Sequence, residues 1–331
     1  MVTAVPVELY DPALAADMAE GLARVEEALA DAARSQEALL TSASRHLIDA
    51  GGKRFRATLV LLAAQFGDRT DERIVPAACA IELTHLATLY HDDVMDEAAI
   101  RRGQESANAR WTNTIAILTG DFLFSRASYI LADLGDAAIR LQAETFGKLV
   151  SGQIAETLGP RPGEDPLAHY MRVVEEKTAS LVATAGQFGA MFAGAPPGIA
   201  RRTAAACHAL GVAFQLSDDI LDVTSESAQS GKTPGTDLRE GIRSLPVLHA
   251  LQSTRPSDAR LIELLTSADL TDAARHAEAL ALLRAHPAIE AARSDLRHWA
   301  EAARSEIAGL PALPARAAFE SMCEYVEKRT G

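Results

Sequence analysis

Apolar positions recur at three- and four-residue spacing along almost the whole chain, the pattern of helices that lay one face against a core. It predicts helices over about 12–34, 36–50, 54–66, 74–96, 112–132, 137–158, 166–193, 198–224, 245–253, 257–266, 272–285, 288–308 and 314–329. No alternation of useful length appears, so no strands are expected. Gly51-Gly52 ends the second helix as a cap would, Pro76 and Pro197 fall near helix starts, and 159–163 and 195–198 are Gly/Pro loops. No low-complexity linker divides the chain and no fixed-period repeat organises it, so one all-α domain over 1–331 is expected. The alanine- and arginine-rich stretch after about residue 255 carries no motif and reads as structural packing.

Two segments break the amphipathic rule. Ile81, Leu83, Leu86, Leu89 and Tyr90 in one, and Val212, Phe214 and Leu216 in the other, are apolar nearly all round, as buried helices are. Each runs into an acidic triad with the same spacing. The first is Asp92, Asp93 and Asp96, and the second is Asp218, Asp219 and Asp222. On a helix, positions i, i+1 and i+4 lie within about 100° of arc, so each triad shares a face. Such a face is either a solvated surface or a metal site. No lysine or arginine is interleaved, and carboxylates crowded this way repel unless a hard cation sits among them. Mg²⁺ is typically held by a few carboxylates plus substrate phosphates, which suggests a diphosphate gripped through metal ions.

A net charge of −13 leaves no basic face for a nucleic-acid backbone, so any phosphorylated substrate must meet a local basic patch. The three cysteines, Cys79, Cys207 and Cys323, show no ligand spacing and read as buried thiols of a reducing compartment. The first residues have neither a basic stretch nor a long apolar one, and no unbroken apolar run of about 18 residues occurs, so a cytoplasmic protein is expected. Lysine is used at five positions, Lys53, Lys148, Lys177, Lys232 and Lys328, among 32 Lys+Arg. Three of these fall in motifs, where a compact ammonium is wanted rather than a planar fork. In GGKRFR, Lys53 and Arg56 stand three apart at a helix start, with the helix N-terminus adding its preference for anions. Arg101 and Arg102 follow the first triad, either as salt bridges to it or as bidentate phosphate ligands.

With these motifs in order (GGKRFR, IELTHLATLYHDDVMDEAAIRRG, TGDFLFSRAS, EEKTASL, FQLSDDILD and GKTPGTDLREGIRSLP, spanning about 45–252) the sequence resembles the trans-isoprenyl (polyprenyl) diphosphate synthases. The resemblance implies antiparallel helices around a central catalytic cavity, the isoprenoid synthase fold, in a homodimer. It implies Mg²⁺ at Asp92, Asp93, Asp96, Asp218, Asp219 and Asp222, about three ions with substrate bound. Lys53, Arg56, His85 and Arg102 match residues that hold isopentenyl diphosphate. Arg101, Lys177, Thr178, Gln215 and Lys232 match those around the allylic diphosphate. On residue type alone, His85 reads as a core histidine and Gln215 as a backbone-bonded amide; the motif context gives them their roles. Two departures stand out: Ile242-Arg243 replaces the usual lysine of Gly-Lys-x-Thr-Leu-Pro, and Gln153 and Glu156 exchange the acid and amide of Gly-Glu-x-x-Gln.

The implied reaction is 1′-4 head-to-tail condensation. A terpene cyclase would need only one diphosphate site, and a non-catalytic partner subunit would lack one triad or the basic motif. Short-chain members carry aromatic residues just before the first triad, where this chain has Ala87 and Thr88, with Thr84 one turn further. The expectation is an all-trans product of about C30–C50 suited to a quinone side chain, with a floor deeper at Ile81 or Phe146 and transient membrane contact for product release. A short product of about C15–C20 is the alternative.

Overall fold

Helix starts coincide with side chains that satisfy free N–H groups. In α1 (Pro12–Ala32), Asp11 accepts from the Leu14 N–H at 2.8 Å, and Pro12 occupies a position that needs no donor. The computed structural model describes residues 9–225 and 234–330, which include α2 (Ala38–Asp49), α3 (Phe55–Ala64), α4 (Ile74–Met95), α5 (Ala107–Arg110), α6 (Asn113–Leu134), α7 (Asp136–Leu158), α8 (Pro166–Val173), α9 (Ser180–Phe192) and α10 (Pro197–Thr224). Further helices span Thr236–Arg239, Leu245–Leu251, Ala259–Ser267, Ala273–Ala285, Ala288–Ala308 and Pro314–Lys328. Gly51 follows α2 at φ 80°, the left-handed conformation expected of a terminating glycine.

Two local features depart from the sequence pattern. The span 166–193 is helical but contains a π turn at Val174–Ala179. A two-stranded hairpin, Ile100–Arg101 paired antiparallel with Gln104–Glu105, also appears where no strand was expected. Two residues per strand are too few to show alternation. The structure shows the turn: Arg102 (φ 52°) and Gly103 (φ 75°) both take the positive φ that a tight two-residue hairpin requires.

The chain groups into two compact units. The first comprises Met1–Gly147, Leu181–Cys207 and Glu306–Ser321. Its core includes Leu29, Leu47, Leu59, Leu62, Ile81, Leu83, Leu86, Tyr90, Leu123, Phe188 and Phe319, all fully buried. α4 is apolar all round because it runs through this core. Tyr90 ties it to α2 by donating to the Ala43 carbonyl at 2.5 Å. Gly189 of α9 sits so close to α3 that an added Cβ would fall 2.0 Å from the Val60 carbonyl oxygen. The second unit comprises Lys148–Ser180, His208–Ser305 and Met322–Gly331. One of its cores packs Val212, Leu216 and Ile220 of α10 with Leu245, Leu296 and Val326. The other packs Val223 with Val247, Leu261, Leu264 and Leu283.

All three cysteines are buried, as expected, and burial pushes the Cys79 thiol up to about 12. α6 is, by length and composition, apolar enough to cross a membrane, with a mean hydropathy of 1.3 and a third of the window buried. Thr119, Asp121, Ser125 and Arg126 interrupt it, which is why no unbroken apolar run marked it in the sequence.

Candidate active site

The first triad sits where a helix is least able to carry negative charge. Asp92 and Asp93 occupy the last turn of α4, Asp96 follows as its cap, and no basic residue lies in that turn. Helix C-termini carry a partial negative charge, so carboxylates there are disfavoured by about 0.3–1 kcal/mol each even before they repel one another. Asp93 is fully buried, Asp92 partly exposed and Asp96 exposed. Arg101, set by the hairpin, donates from Nε to Asp93 Oδ1 at 2.6 Å. Asp93 Oδ2 is buried and has no hydrogen-bond donor. Burial raises the Asp93 pKa, with Arg101 opposing. An orphaned carboxylate oxygen on Asp93, with Asp96 adding negative charge nearby, could hold a hard cation together with substrate phosphates.

The basic motif forms a second cluster in the same unit. Arg54 takes a left-handed backbone (φ 46°) and turns inward, donating to both Glu26 oxygens at 2.5 and 3.0 Å and to the Ile48 carbonyl at 3.1 Å. The sequence had singled out its neighbours; Arg54 itself holds the loop in shape. Lys53 lies just before the start of α3 and is exposed, and Arg56 lies within its first turn. Buried Glu82 of α4 accepts from the Ala57 N–H at 2.9 Å, and its charge supports Arg54 and Arg56. Arg102 donates to the Leu47 carbonyl at 2.7 Å and to the Gly51 carbonyl. Its guanidinium packs where a Cβ on Gly52 would be, 3.1 Å from its central carbon, so Gly52 has no room for a side chain. Arg54 Nη1 and Arg56 Nε remain buried donors without acceptors. Leaving a buried polar group unpaired costs about 1–3 kcal/mol, which an anionic ligand would recover.

His85 is partly buried in this cluster. Burial, and then Arg56, Arg102, Arg54 and Arg101, hold its imidazole well below its ordinary 6.5. A histidine depressed in the folded state contributes stability above pH 6.5 that is lost as pH falls. The melting temperature of the native protein should therefore drop more steeply than that of His85→Gln below about pH 6.5. Parallel melting curves in the two proteins would show that His85 is not held neutral. One turn before Thr88, Thr84 Oγ1 accepts from Gln142 Nε2 of α7 at 2.7 Å. Ala87 is fully buried and Thr88 partly so.

In the second unit, Asp218, Asp219 and Asp222 occupy the last two turns of α10, again without a basic residue in the last turn. Asp219 is buried and both its oxygens are engaged. Oδ2 accepts from the Tyr170 hydroxyl at 2.6 Å and the Leu245 N–H at 3.1 Å, and Oδ1 accepts from Gln215 Nε2 at 3.0 Å. Burial still raises its pKa to about 6. Asp222 accepts from the Thr236 and Asp237 N–H groups, capping the helix that follows 226–233. Asp218 is half exposed. Thr178 reaches Gln215 at 3.4 Å, which extends the Asp219 network.

Lys177 lies on the π turn. Gly152 of α7 packs against its backbone so closely that an added Cβ would fall 2.6 Å from the Lys177 nitrogen. Glu156, the exchanged acid, pairs with its ammonium. A cavity of about 610 Å³ is lined by Glu156, Tyr170, Lys177, Thr178, Gln215 and Asp219, with Ile242 and Arg243 on its wall. Lys232 lies outside the described residues. Among the described residues no three acidic, histidine or cysteine groups converge as a protein-only metal cage. Mg²⁺ is commonly bound by one or two carboxylates completed by substrate phosphates. No local pattern marks Tyr170, whose contact with Asp219 spans 49 positions.

A polyprenyl synthetase family profile matches residues 37–283. The chain belongs to the polyprenyl synthetase family. It is therefore a prenyltransferase, and the helical architecture is the isoprenoid synthase fold of its structural neighbours. It is 46% identical over 326 residues to a nonaprenyl diphosphate synthase of Mycobacterium tuberculosis, covering 98% of this chain and 97% of that one. It is 39% identical over 320 residues to a dimethylallyltranstransferase of the same organism, covering 96% and 97%. A crystal structure of geranylgeranyl pyrophosphate synthase from Corynebacterium glutamicum, complexed with calcium and isoprenyl diphosphate, superposes with a TM-score of 0.89 at 42% identity, covering 99% of this chain and 100% of that one.

Proposed function

We propose that the chain is a Mg²⁺-dependent trans-polyprenyl diphosphate synthase that condenses isopentenyl diphosphate onto an allylic diphosphate, giving an all-trans product of about C30–C50 for quinone side chains. The observation that carries this reading is a pair of complementary orphans in one unit. Arg56 Nε and Arg54 Nη1 are buried donors without an acceptor, and Asp93 Oδ2 is a buried acceptor without a donor. Such a set suits an anion and a cation bound together.

Bound Mg²⁺, held by Asp92, Asp93 and Asp96 of the first unit and by Asp218, Asp219 and Asp222 of the second, would neutralise charge developing on the departing allylic diphosphate. Asp219 also orders Gln215 and the Leu245 turn. Lys53, Arg56, Arg102 and neutral His85 bind the diphosphate of isopentenyl diphosphate. Arg101, Lys177, Thr178, Gln215 and Lys232 serve the allylic group. Lys177 exchanges its Glu156 partner for a phosphate oxygen. Water at the reacting carbon would quench an allylic cation, so the bound substrates must displace it from the partly exposed triads. Asp93 gives up one oxygen to Arg101 and keeps the other for the ion.

Arg243 stands in for the lysine that Ile242 replaces, since both line the cavity that holds Lys177. A charge-assisted contact from an exposed arginine suggests about a tenfold effect. Arg243→Ala should raise KM for the allylic substrate about tenfold and leave KM for isopentenyl diphosphate near its native value. Equal or absent effects on the two constants would make Arg243 a surface residue.

Product length has a second reading. Ala87 and Thr88 are small, and the nonaprenyl relative supports a long product. The Thr84–Gln142 hydrogen bond instead places a polar crosspiece one turn beyond Ala87, which favours a short product of about C15–C20. Exposed Ile117, Leu118, Tyr129 and Ile139 support a homodimer covering this face. We infer a cytoplasmic enzyme with transient membrane contact as its apolar product leaves. The purified chain alone should incorporate labelled isopentenyl diphosphate, and EDTA should stop it. Activity that requires a second polypeptide would make the chain one part of a heteromeric enzyme.

A further inference from the structure

Arg329 follows the helix Pro314–Lys328, in the part of the chain where the sequence showed only packing. Its side chain is 11% exposed, and its guanidinium lies along one turn of α10, against residues 214, 217 and 218. Nε donates to Ser217 Oγ. Nη2 donates to the Phe214 carbonyl at 3.0 Å and to Asp218 Oδ1 at 2.8 Å. The guanidinium stacks over the Phe214 ring at 4.3 Å and faces Tyr325 at 5.5 Å. The next residue is held too, because Arg293 donates from Nε to the Thr330 carbonyl at 2.9 Å.

We propose that Arg329 is a positioning residue for Asp218, fixing one carboxylate oxygen so that the other is oriented for the metal ion. This rests on the function proposed above. Three anchors other than Asp218 (Ser217, the Phe214 carbonyl and the Phe214 ring) hold the guanidinium, so its place does not depend on the carboxylate. Asp218 is 50% exposed, and its side chain would otherwise sample several rotamers. Outer partners that orient a ligating carboxylate are typically worth about 10–100-fold in metal affinity. The opposing effect is repulsion between guanidinium and metal ion. At a half-exposed carboxylate that repulsion is screened, so orientation wins.

The test is Mn²⁺ titration by electron paramagnetic resonance with inorganic pyrophosphate present, on the full chain. Arg329→Gln should weaken Mn²⁺ binding about 10–100-fold, and Arg329→Lys, which keeps the charge but not the fork, should fall between. In an Asp218→Asn background the Arg329→Gln effect should vanish. Unchanged or tighter binding in Arg329→Gln would overturn the proposal, the tighter case marking Arg329 as a competitor of the ion. An effect that persists in the Asp218→Asn background would also overturn it, since Arg329 would then act through general stability. A native chain that binds no Mn²⁺ with pyrophosphate would overturn the function itself, whereas native binding with an unaltered variant overturns only the role of Arg329.

Discussion

Asp92→Ala and Asp218→Ala should each lower kcat by about a thousandfold or more, roughly 4 kcal/mol of transition-state stabilisation, while the protein stays folded. The two effects on stability differ in origin. Asp92 lies in the negative last turn of α4 next to Asp93, so relief of repulsion offsets what its own contacts contribute and the metal-free melting temperature should change little. Asp218→Ala removes a half-exposed partner of Arg329, an ion pair worth about 1 kcal/mol or less. Steady-state kinetics at saturating Mg²⁺ with parallel melting curves checks both. Near-native kcat in either variant would remove that triad from the chemistry, and collapse of the fold in Asp92→Ala would make the first triad structural.

Ala87→Phe should shorten the main product to about C15–C20 while keeping activity, because an aromatic ring and a prenyl tail cannot share one packed channel. Ala87 is buried on the core helix α4, and its carbonyl lies 3.1 Å from where a Cβ on Gly120 would stand. If the tail passes this point, the ring enters space kept for substrate and the melting temperature hardly moves. If it does not, the ring meets packed side chains at a cost of about 1–3 kcal/mol. Chromatography of dephosphorylated products with a melting curve separates the cases. An unchanged product distribution in a destabilised variant would place the tail elsewhere.

What the sequence disclosed follows the range of the interactions. The acid triads were legible because residues i, i+1 and i+4 share a helix face whatever the rest of the chain does. GGKRFR was legible as a basic turn, but not the division of labour within it: Arg54 turns inward because Glu26 and the Ile48 carbonyl await it, contacts the local pattern does not contain. Arg101 was left open between salt bridge and phosphate ligand, and the structure shows its bond to Asp93. Arg102 braces Gly51 and Gly52 from 51 residues away along the chain. Tyr170 on Asp219 and Arg329 on Asp218 had no local signature at all, because each joins segments far apart in sequence. Thr84 looked like a small neutral residue, and its bond to Gln142 needed the packing of α4 on α7 to appear. Buried apolar runs announced helices; the hairpin, with two residues per strand, offered no period to detect.

The most direct measurement is product chain length from the purified native chain supplied with labelled isopentenyl diphosphate, an allylic primer and Mg²⁺, after dephosphorylation and chromatography. Mg²⁺-dependent elongation ending at about C30–C50 is the expected result. No elongation by the chain alone would contradict the proposed reaction, and a product that stops at about C20 or below would contradict a tail path past Ala87.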